Sequence, residues 1–390
     1  YFMEFNLNLL SIFLFYGLII YFIVKNKSKI EFHKLYLLYK TKRGISLIDR
    51  LSKHRVWKYW GYIGIPVGFI GMFFILGMLL VKVWDIVSGK TIDQGVQLLL
   101  PWTSSGSAGP FMLMPFWTFI ICIAVVVLVH EGAHGIISRV HKLKLRSTGL
   151  GMFTIIPLAF VEPDEAQMEK APLSTQLSIF AAGPFANICT GIFALLISLF
   201  FLIPLSASFF DPAGLEITDV KYGFPAEEAG IVPGDTIMAV DSQETLNVEQ
   251  FVSVVDRLKP GDTATFLLQD REVTVNTVEN AADSDLAYVG ISFKQKLDPV
   301  SDTYFGGLAS EALLYLITLF GWLWVLNIGI GLVNLLPLGP VDGGRMLLAT
   351  SHKLIKNESK ARIVWMSISI LALLALVLNI VAPFLMSIFA

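Results

Sequence analysis

Charged residues are scarce in this sequence. Lysine, arginine, aspartate and glutamate make up 15% of its 390 residues, whereas soluble domains are about 25% charged. Hydrophobic residues make up 55%, and the mean hydropathy is +0.67. This composition excludes an ordinary soluble domain and predicts a polytopic α-helical membrane protein, with the lipid bilayer as its surroundings.

The sequence also lacks an excess of cations and a set of paired cysteines. Its formal net charge is -2, which gives no indication of nucleic-acid binding. The two cysteines, Cys122 and Cys189, lie inside apolar stretches and have neither a metal-type nor a disulfide spacing. We expect both to pack as small apolar side chains.

Six stretches are apolar enough to cross a bilayer as helices, which takes about 20 residues each. They are residues 6–24, 58–83, 114–139, 174–206, 308–336 and 361–389. Glycine, proline or asparagine interrupts the fourth and fifth. Such breaks are tolerated at membrane depth where protein or a water-filled cavity satisfies the backbone.

The connections after the first, third and fifth predicted spans are all basic. Cytoplasmic connections of membrane proteins carry an excess of lysine and arginine. The three basic connections alternate correctly with the spans, so we expect them to lie on the cytoplasmic side of the cell membrane. Residues 84–113 and 207–307 then face outward, and the first of these is expected to be a loop without chemistry of its own.

The third span ends in the motif His-Glu-x-x-His, at residues 130–134. Residues four apart lie on one face of a helix, so His130 and His134 can bind one metal ion. Glu131 is one position round the helix and can act as a general base on a bound water. Ionisable residues in an apolar helix indicate a functional site. The alternative is a histidine pair that hydrogen-bonds within the core.

A catalytic zinc ion usually has three protein ligands, so one ligand is missing from this motif. The sequence leaves five candidates open, and they are His141, Glu162, Asp164, Glu165 and Asp342. Asp342 has the most favourable context, because prolines and glycines at residues 337–344 end the fifth span and turn the chain at the depth where the third span ends.

The charges around Asp342 favour the same choice. A metal dication, one aspartate and one glutamate sum to about zero, which limits the cost of burying the cluster. Asn334 lies eight residues before Asp342 and can donate a hydrogen bond to a developing oxyanion. The alternative for Asn334 is a hydrogen bond to a neighbouring helix.

Residues 149–165 are apolar but too short to span the membrane. Their glycines and their β-favouring residues predict a re-entrant β-hairpin beside the metal helix, whose free edge could pair with an extended substrate. Gly149, Gly151 and Phe153 are therefore candidate substrate-contacting residues. An ordinary buried connection is the alternative.

The fourth span contains Gly183-Pro184-x-x-Asn187. Small residues allow close helix packing, and the Asn187 amide can hydrogen-bond to a neighbouring helix. Packing is the simpler explanation of this motif. We also include Asn187 among the candidate substrate-contacting residues.

Residues 211–298 are acidic, with short alternating apolar runs separated by glycine and aspartate, which predicts an inserted, mostly-β soluble domain. The segment from Gly223 to Val240 and the helical pattern at 248–258 resemble the PDZ fold, which binds extended peptides at a sheet edge. The alternative is a passive size filter. The predicted domains are a two-span region at 1–113, a first core part at 114–210, the PDZ-like domain at 211–298 and a second core part at 299–390.

Together these motifs resemble the site-2 protease family of intramembrane metalloproteases. The resemblance rests on residues 130–134, on Gly183-Pro184-x-x-Asn187, and on the segment from Asn334 to Asp342-Gly343. It implies one zinc ion bound by His130, His134 and Asp342, with Glu131 as the base. A single PDZ-like unit departs from members that carry two or none.

The resemblance implies hydrolysis of transmembrane helices in single-span membrane proteins, either to release tethered regulators or to clear signal-peptide remnants. A peptide or partner protein could bind the PDZ-like domain. Two other functions stay open, a metal transporter and a catalytically silent metal-binding scaffold. The spans offer few further ionisable residues for a transport path, and an intact Glu131 is unexpected in a silent scaffold.

Overall fold

The computed structural model describes residues 2–389, except 33–35, 90–96, 103–105, 109–110, 154–155, 281–282 and 301–303. The chain divides into two compact units. The first, here called the helical unit, holds Tyr1–Ile197 and Thr318–Ala390, and the second, the β-rich unit, holds Ser198–Ile317.

The long helices coincide with the long apolar stretches of the chain. They are α1 (Phe2–Lys25), α2 (Arg43–Leu51), α3 (Val56–Val87), α4 (Phe116–Val140), α5 (Glu165–Lys170), α6 (Leu173–Ile197), α7 (Ile203–Ser206), α8 (Pro225–Glu228), α9 (Val248–Val255), α10 (Tyr304–Asn334), α11 (Asp342–Leu354) and α12 (Glu358–Phe389). A short 3₁₀ turn lies at Lys27–Lys29, and a π-helical turn at Ser198–Leu202 joins α6 to α7.

Five of these helices are long and apolar enough to cross a membrane: α3, α4, α6 with its continuation to Ser206, α10 and α12. They coincide with the second to sixth predicted spans. The first predicted span coincides with α1, of which Leu9–Lys25 counts as a shorter apolar helix. Membrane crossing by α1 therefore stays a prediction.

The predicted interruptions of the fourth and fifth spans do not break helices α6 and α10. Helix α6 runs unbroken through Pro184 and Asn187, and α10 is continuous up to Asn334. A proline inside a helix removes one backbone donor, and packed neighbouring helices can compensate for that loss. In the fifth span, the chain leaves the helical path only after Asn334.

Glycines on one face of α3 bring it close to α6. Gly61, Gly64, Gly68 and Gly71 recur every three or four residues and are buried. A side chain at Gly68 would approach within 3.3 Å of the Ala181 methyl group on α6. Small residues at such positions allow helices to pack tightly where water does not drive their association. The resulting core holds α4 and α6 side by side.

The strands complete the two units. They are β1 (Ile30–Phe32), β2 (Tyr36–Thr41), β3 (Leu98–Trp102), β4 (Gly106–Ala108), β5 (Phe111–Pro115), β6 (Leu145–Phe153), β7 (Ile156–Pro163), β8 (Phe210–Val220), β9 (Thr236–Val240), β10 (Gln243–Glu244), β11 (Thr263–Leu268), β12 (Glu272–Asn276), β13 (Val278–Asn280), β14 (Asp283–Tyr288) and β15 (Ile291–Pro299).

The predicted hairpin at residues 149–165 exists as β6 and β7, which pair antiparallel from Leu145↔Pro163 to Phe153↔Ile156. It belongs to a four-stranded sheet in the order β1-β2-β6-β7. Strand β2 comes from the basic segment after α1 and pairs with β6 from Tyr36↔Phe153 to Thr41↔Thr148. Strand β6 is therefore paired on both sides, and β7 and β1 are the two edge strands of the sheet. Its re-entrant placement in a membrane stays a prediction.

The expected outer loop at residues 84–113 contains strands of its own. They form a three-stranded sheet in the order β3-β5-β4, in which β3 and β5 run parallel. Strand β5 leads directly into α4 at Phe116. This sheet therefore immediately precedes the helix that carries the metal motif.

The β-rich unit contains the predicted mostly-β domain. Its main sheet has the order β12-β11-β9-β8-β15, with β10 beside β9. Its core includes Leu215, Ile237 and Phe266, each at most 1% exposed. Asn247 and Gln250 form a reciprocal capping box that starts α9. Strands β9, β11 and β12 contain short alternating apolar runs of the kind that the sequence predicts for this domain.

Candidate metal centre

Helix α4 presents the two histidines of the motif on one face. His130 is 9% exposed and His134 is also largely enclosed. Their Nε2 atoms lie 3.1 Å apart. One turn of α-helix brings residues four apart together, so the local sequence alone is sufficient for this pair.

Asp342 reaches the histidines from the turn between α10 and α11. Helix α10 ends at Asn334, and Asp342 is the first residue of α11. Gly343 and Gly344 make this turn possible, because a side chain at either position would collide with the backbone of residues 335–339. The N-terminus of a helix also favours a carboxylate.

The three predicted ligands form a compact triangle. Asp342 Oδ2 lies 3.1 Å from His130 Nε2 and 3.3 Å from His134 Nε2. Four ligands placed tetrahedrally at about 2.0–2.1 Å from a zinc ion are separated by about 3.3 Å. The donor set therefore fits one zinc ion with almost no movement and leaves a fourth position for water or substrate. Among the residues that the structure describes, this is the group of histidine and acidic side chains with metal-binding spacing.

The electrostatics of Asp342 agree with this arrangement. Burial opposes ionisation of the carboxyl, but the adjacent His134 and His130 imidazoles outweigh it and hold the pKa of Asp342 well below its ordinary value. An aspartate in this position supplies the anionic oxygen donor that a metal ion requires.

The other four candidates for the third ligand have different partners. Glu162 accepts a hydrogen bond from the Ser147 hydroxyl at 2.6 Å, and Glu165 pairs with Arg345 at 2.9 Å. His141 contacts the Ser178 hydroxyl at 2.9 Å. Burial, reinforced by the charge of Lys58, lowers the pKa of His141.

Asp164, the remaining candidate, is the N-cap of α5. Its carboxylate accepts the Gln167 N–H at 3.1 Å and pairs with Arg146. The Gln167 hydrogen bond is the main cause that lowers the pKa of Asp164. This residue therefore stabilises a helix end.

Residues of α6 contact the Nδ1 atoms of both histidines. His134 Nδ1 lies 2.7 Å from the Ile179 carbonyl oxygen, so this nitrogen carries the proton and Nε2 is free for a metal. His130 Nδ1 lies 3.2 Å from the Asn187 amide. Asn187 is completely buried and faces His130, which contradicts the expected contact of Asn187 with substrate. Its side chain orients an imidazole instead.

Gly183 leaves room for the imidazole rings. A Cβ atom at this position would collide with the Nε2 atoms of both His130 and His134. Helix packing, the simpler explanation of the Gly-Pro-x-x-Asn motif, does not account for this contact with the histidines. The only available signal was the presence of a glycine and an asparagine four residues apart, which places both on the same face of α6.

Glu131 connects the centre to the sheet edge. Its Oε2 atom accepts a hydrogen bond from the Val161 N–H of β7 at 2.9 Å. A cavity of about 350 Å³, here called the site cavity, is lined by Glu131, the three candidate ligands, Asn334 and Arg345. Asn334 is half-buried at this cavity. The cavity thus brings the Glu131 carboxylate, the triangle of possible metal ligands and the Asn334 amide to one space.

The predicted substrate-contacting residues of β6 are placed differently from the expectation. Because β6 is paired with both β2 and β7, Gly149 and Gly151 cannot offer a free strand edge, and this part of the expectation is wrong. The free edge belongs to β7, the strand that reaches Glu131. The side chain of Phe153 lies outside the described residues.

A model of Peptidase family M50 matches residues 118–378, about two thirds of the chain. The chain belongs to peptidase family M50. The matched region contains both histidines, Glu131, Asn187, Asn334 and Asp342. The expected family is thereby confirmed, and membership places this M50 protein among the membrane-embedded zinc metallopeptidases.

Two relatives agree with this assignment. An uncharacterised protein of Methanocaldococcus jannaschii is 27% identical, over 78% of this chain and 74% of that protein. Zinc metalloprotease RasP of Geobacillus kaustophilus is 24% identical, over 58% of this chain and 65% of RasP. The M50 chain therefore spans slightly less than two thirds of RasP.

Among solved structures, the PDZ domain of an SdrC-like protein from Listeria monocytogenes is 19% identical to part of the chain. The likeness covers 20% of this chain and 86% of that domain, with a TM-score of 0.19.

Proposed function

We propose that this M50 protein hydrolyses peptide bonds within or near transmembrane helices of single-span membrane proteins, with one zinc ion held by His130, His134 and Asp342. The observation that carries the proposal is the triangle of donor atoms with sides of 3.1, 3.1 and 3.3 Å. Such a triangle has the dimensions of one face of a tetrahedral zinc site.

When bound, the zinc ion supplies a Lewis acid that polarises the scissile carbonyl and makes a water more acidic. Glu131 accepts the proton of the attacking water and returns it to the leaving amine. The Val161 N–H fixes one oxygen of the Glu131 carboxylate. Asn334 lines the same cavity and donates to the oxygen that becomes negative during attack.

A helical substrate must unwind before its peptide bond can be attacked, because its amides are engaged in helical hydrogen bonds. The outer edge of β7 is proposed to hold the unwound segment as an added strand. Support comes from the edge position of β7 and from the hydrogen bond that joins it to Glu131. Gly149 lies on β6, next to this edge strand, and lines a cavity beside it.

The basic connections after α1, α4 and α10 support an orientation in the cell membrane with the metal centre toward the cytoplasm. The PDZ-like domain is then extracytoplasmic, where it either binds a peptide or partner protein or excludes bulky substrates. Release of membrane-tethered regulators and clearance of signal-peptide remnants are the two physiological roles that fit such a site.

The test is co-expression with candidate single-span membrane proteins, followed by measurement of cleavage and of zinc content. Glu131→Gln is expected to abolish cleavage and retain zinc, whereas Asp342→Asn is expected to lose both. Glu216→Gln, which breaks an ion pair with Lys294 in the β-rich unit, serves as the matched control and should retain both. Full cleavage by Glu131→Gln would refute the role of Glu131. Zinc binding without cleavage of any substrate by the unaltered protein would favour the silent scaffold.

A further inference from the structure

A second cavity opens on the other side of Glu131. It has a volume of about 680 Å³ and lies among α2, α3, α4, α6 and the sheet. Glu131, Phe160 and Val161 line both this space, here called the apolar cavity, and the site cavity. The two cavities therefore meet at the general base and at the free edge of β7.

The walls of the apolar cavity are hydrophobic. Ile48 of α2, Trp57 and Trp60 of α3, and Leu128 and Ile136 of α4 are among the residues that line it. Of its described lining residues, Glu131 alone carries an ionisable side chain. Its volume falls in the range of about 300–1,000 Å³ that is common for clefts that bury small ligands. Such a space favours apolar groups and excludes charged ones.

Gly132 forms part of this cavity directly beside the base. A Cβ atom at Gly132 would meet no other atom within 4 Å. This glycine differs from Gly183, where a side chain would strike the imidazoles. Gly132 is therefore not required by packing in the described structure, and its missing side chain adds depth to the apolar cavity.

A strand that pairs with the outer edge of β7 would pass between the two cavities. Successive side chains of a strand point to opposite faces. When one residue of the substrate lies at Glu131, a neighbouring side chain therefore points toward the apolar cavity. The cavity shares Glu131 and Val161 with the site cavity, and this proximity to the reacting centre favours a substrate side chain as its occupant.

We propose that the apolar cavity is the specificity pocket of this protein and accepts one bulky apolar side chain, such as leucine or phenylalanine, from a residue that flanks the scissile bond. Gly132 sets the depth of this pocket. The inference rests on the proposed peptidase function and adds the class of residue that the site selects.

The test uses a single-span substrate whose cleavage site has been located by mass spectrometry. Each of the two residues on either side of the bond is changed to alanine or to phenylalanine. For the unaltered enzyme, kcat/KM at one flanking position should be about 10- to 100-fold higher with phenylalanine than with alanine, which corresponds to burial of a large apolar side chain.

The enzyme variant Gly132→Leu occupies the part of the pocket beside Glu131. It should remove the preference for phenylalanine, so that the ratio of kcat/KM between the phenylalanine and alanine substrates falls to about one. Gly77→Leu is the matched control, because Gly77 lies in α3 and also has no atom within 4 Å of an added Cβ. It should keep the preference. Thr190→Leu, on the α6 wall of the pocket, is a second filling variant should Gly132→Leu fail to accumulate.

Photo-crosslinking separates this inference from the proposed activity. A substrate with benzoylphenylalanine at the preferred position, added to the Glu131→Gln variant, should crosslink to Trp57, Trp60 or Ile136, and Gly132→Leu should suppress the product. A filled pocket that leaves the preference unchanged, or that slows both substrates equally, overturns the inference. Absence of these crosslinks overturns it as well, whether or not the unaltered enzyme cleaves. Failure of the unaltered enzyme to cleave refutes the proposed function alone.

Discussion

Replacement of Asn187 by leucine should weaken zinc binding even though Asn187 cannot reach the metal. The Asn187 side chain is completely buried, and its amide nitrogen is placed 3.2 Å from His130 Nδ1. Its Oδ1 atom has no hydrogen-bond partner. The oxygen and nitrogen ends of a side-chain amide have nearly the same shape, so the positions of Asn187 Oδ1 and Nδ2 can be exchanged. After this exchange, His130 Nδ1–H donates to Asn187 Oδ1. That exchange gives the His130 N–H an acceptor and leaves His130 Nε2 as the metal-binding atom.

The magnitude follows from this hydrogen bond. Loss of a partner that orients a metal-binding histidine typically costs about 10- to 100-fold in metal affinity, or about 1.4–2.7 kcal/mol. An unsatisfied buried donor costs about 1–3 kcal/mol, so the two estimates agree. Asn187→Leu keeps the volume of the side chain and removes its acceptor. Asn187→Asp keeps an acceptor and should retain affinity within a few-fold.

Zinc affinity can be measured by competition with a chromophoric chelator on protein purified in detergent. Asn379→Leu is the matched control, since Asn379 is 1% exposed and donates to the Leu79 carbonyl between α12 and α3. It should lower thermal stability without a change in zinc affinity. Unchanged affinity in Asn187→Leu would refute the assignment. Equal losses in Asn187→Leu and Asn187→Asp would show that the amide acts as a donor and that the exchange is wrong.

Two further outcomes are expected. Gly183→Ala should reduce zinc affinity by at least about tenfold and abolish cleavage, because the added methyl group occupies the space of the imidazoles; Gly321→Ala, in open space on α10, should change neither. Asp164→Ala should lower the melting temperature at pH 7, since the lowered pKa of Asp164 marks a carboxylate that stabilises the folded state. This stabilisation is complete above the ordinary carboxyl pKa near 3.8 and is lost as the pH falls through the lowered value. The difference in melting temperature between the two proteins should therefore shrink in acid, and a constant difference would contradict the capping role.

The local parts of the site were predictable from the sequence. His130, Glu131 and His134 lie within one and a half turns of a single helix, so the helical period alone fixes their arrangement. Asp342 could be favoured over the other candidates because proline and glycine mark the turn before it. The helix bounds were predictable to within a few residues for the same reason, since long apolar runs carry a strong signal.

The sheet beside the centre was not predictable, because its pairing joins distant parts of the chain. Strand β2 follows α1, yet it pairs with β6 more than one hundred residues later. This pairing moves the free edge from β6 to β7 and changes which residues can meet a substrate. The hydrogen bond between Val161 N–H and Glu131 depends on the same pairing. Every residue except proline has a backbone N–H, so the residue type at position 161 gives no indication of this hydrogen bond.

The position of Asp342 on a separate element has a geometric cause. His130 and His134 take up one face of α4 across a single turn, and His141, the next histidine, lies seven residues further along, a rise of about 10 Å. No side chain at that distance on a straight helix can complete a coordination sphere with bonds of about 2 Å. The third ligand must therefore come from another element, and an anionic ligand lowers the cost of burying a dication. An aspartate at the first residue of α11 meets both conditions, because the turn after α10 brings it to the histidines and the helix N-terminus stabilises its charge.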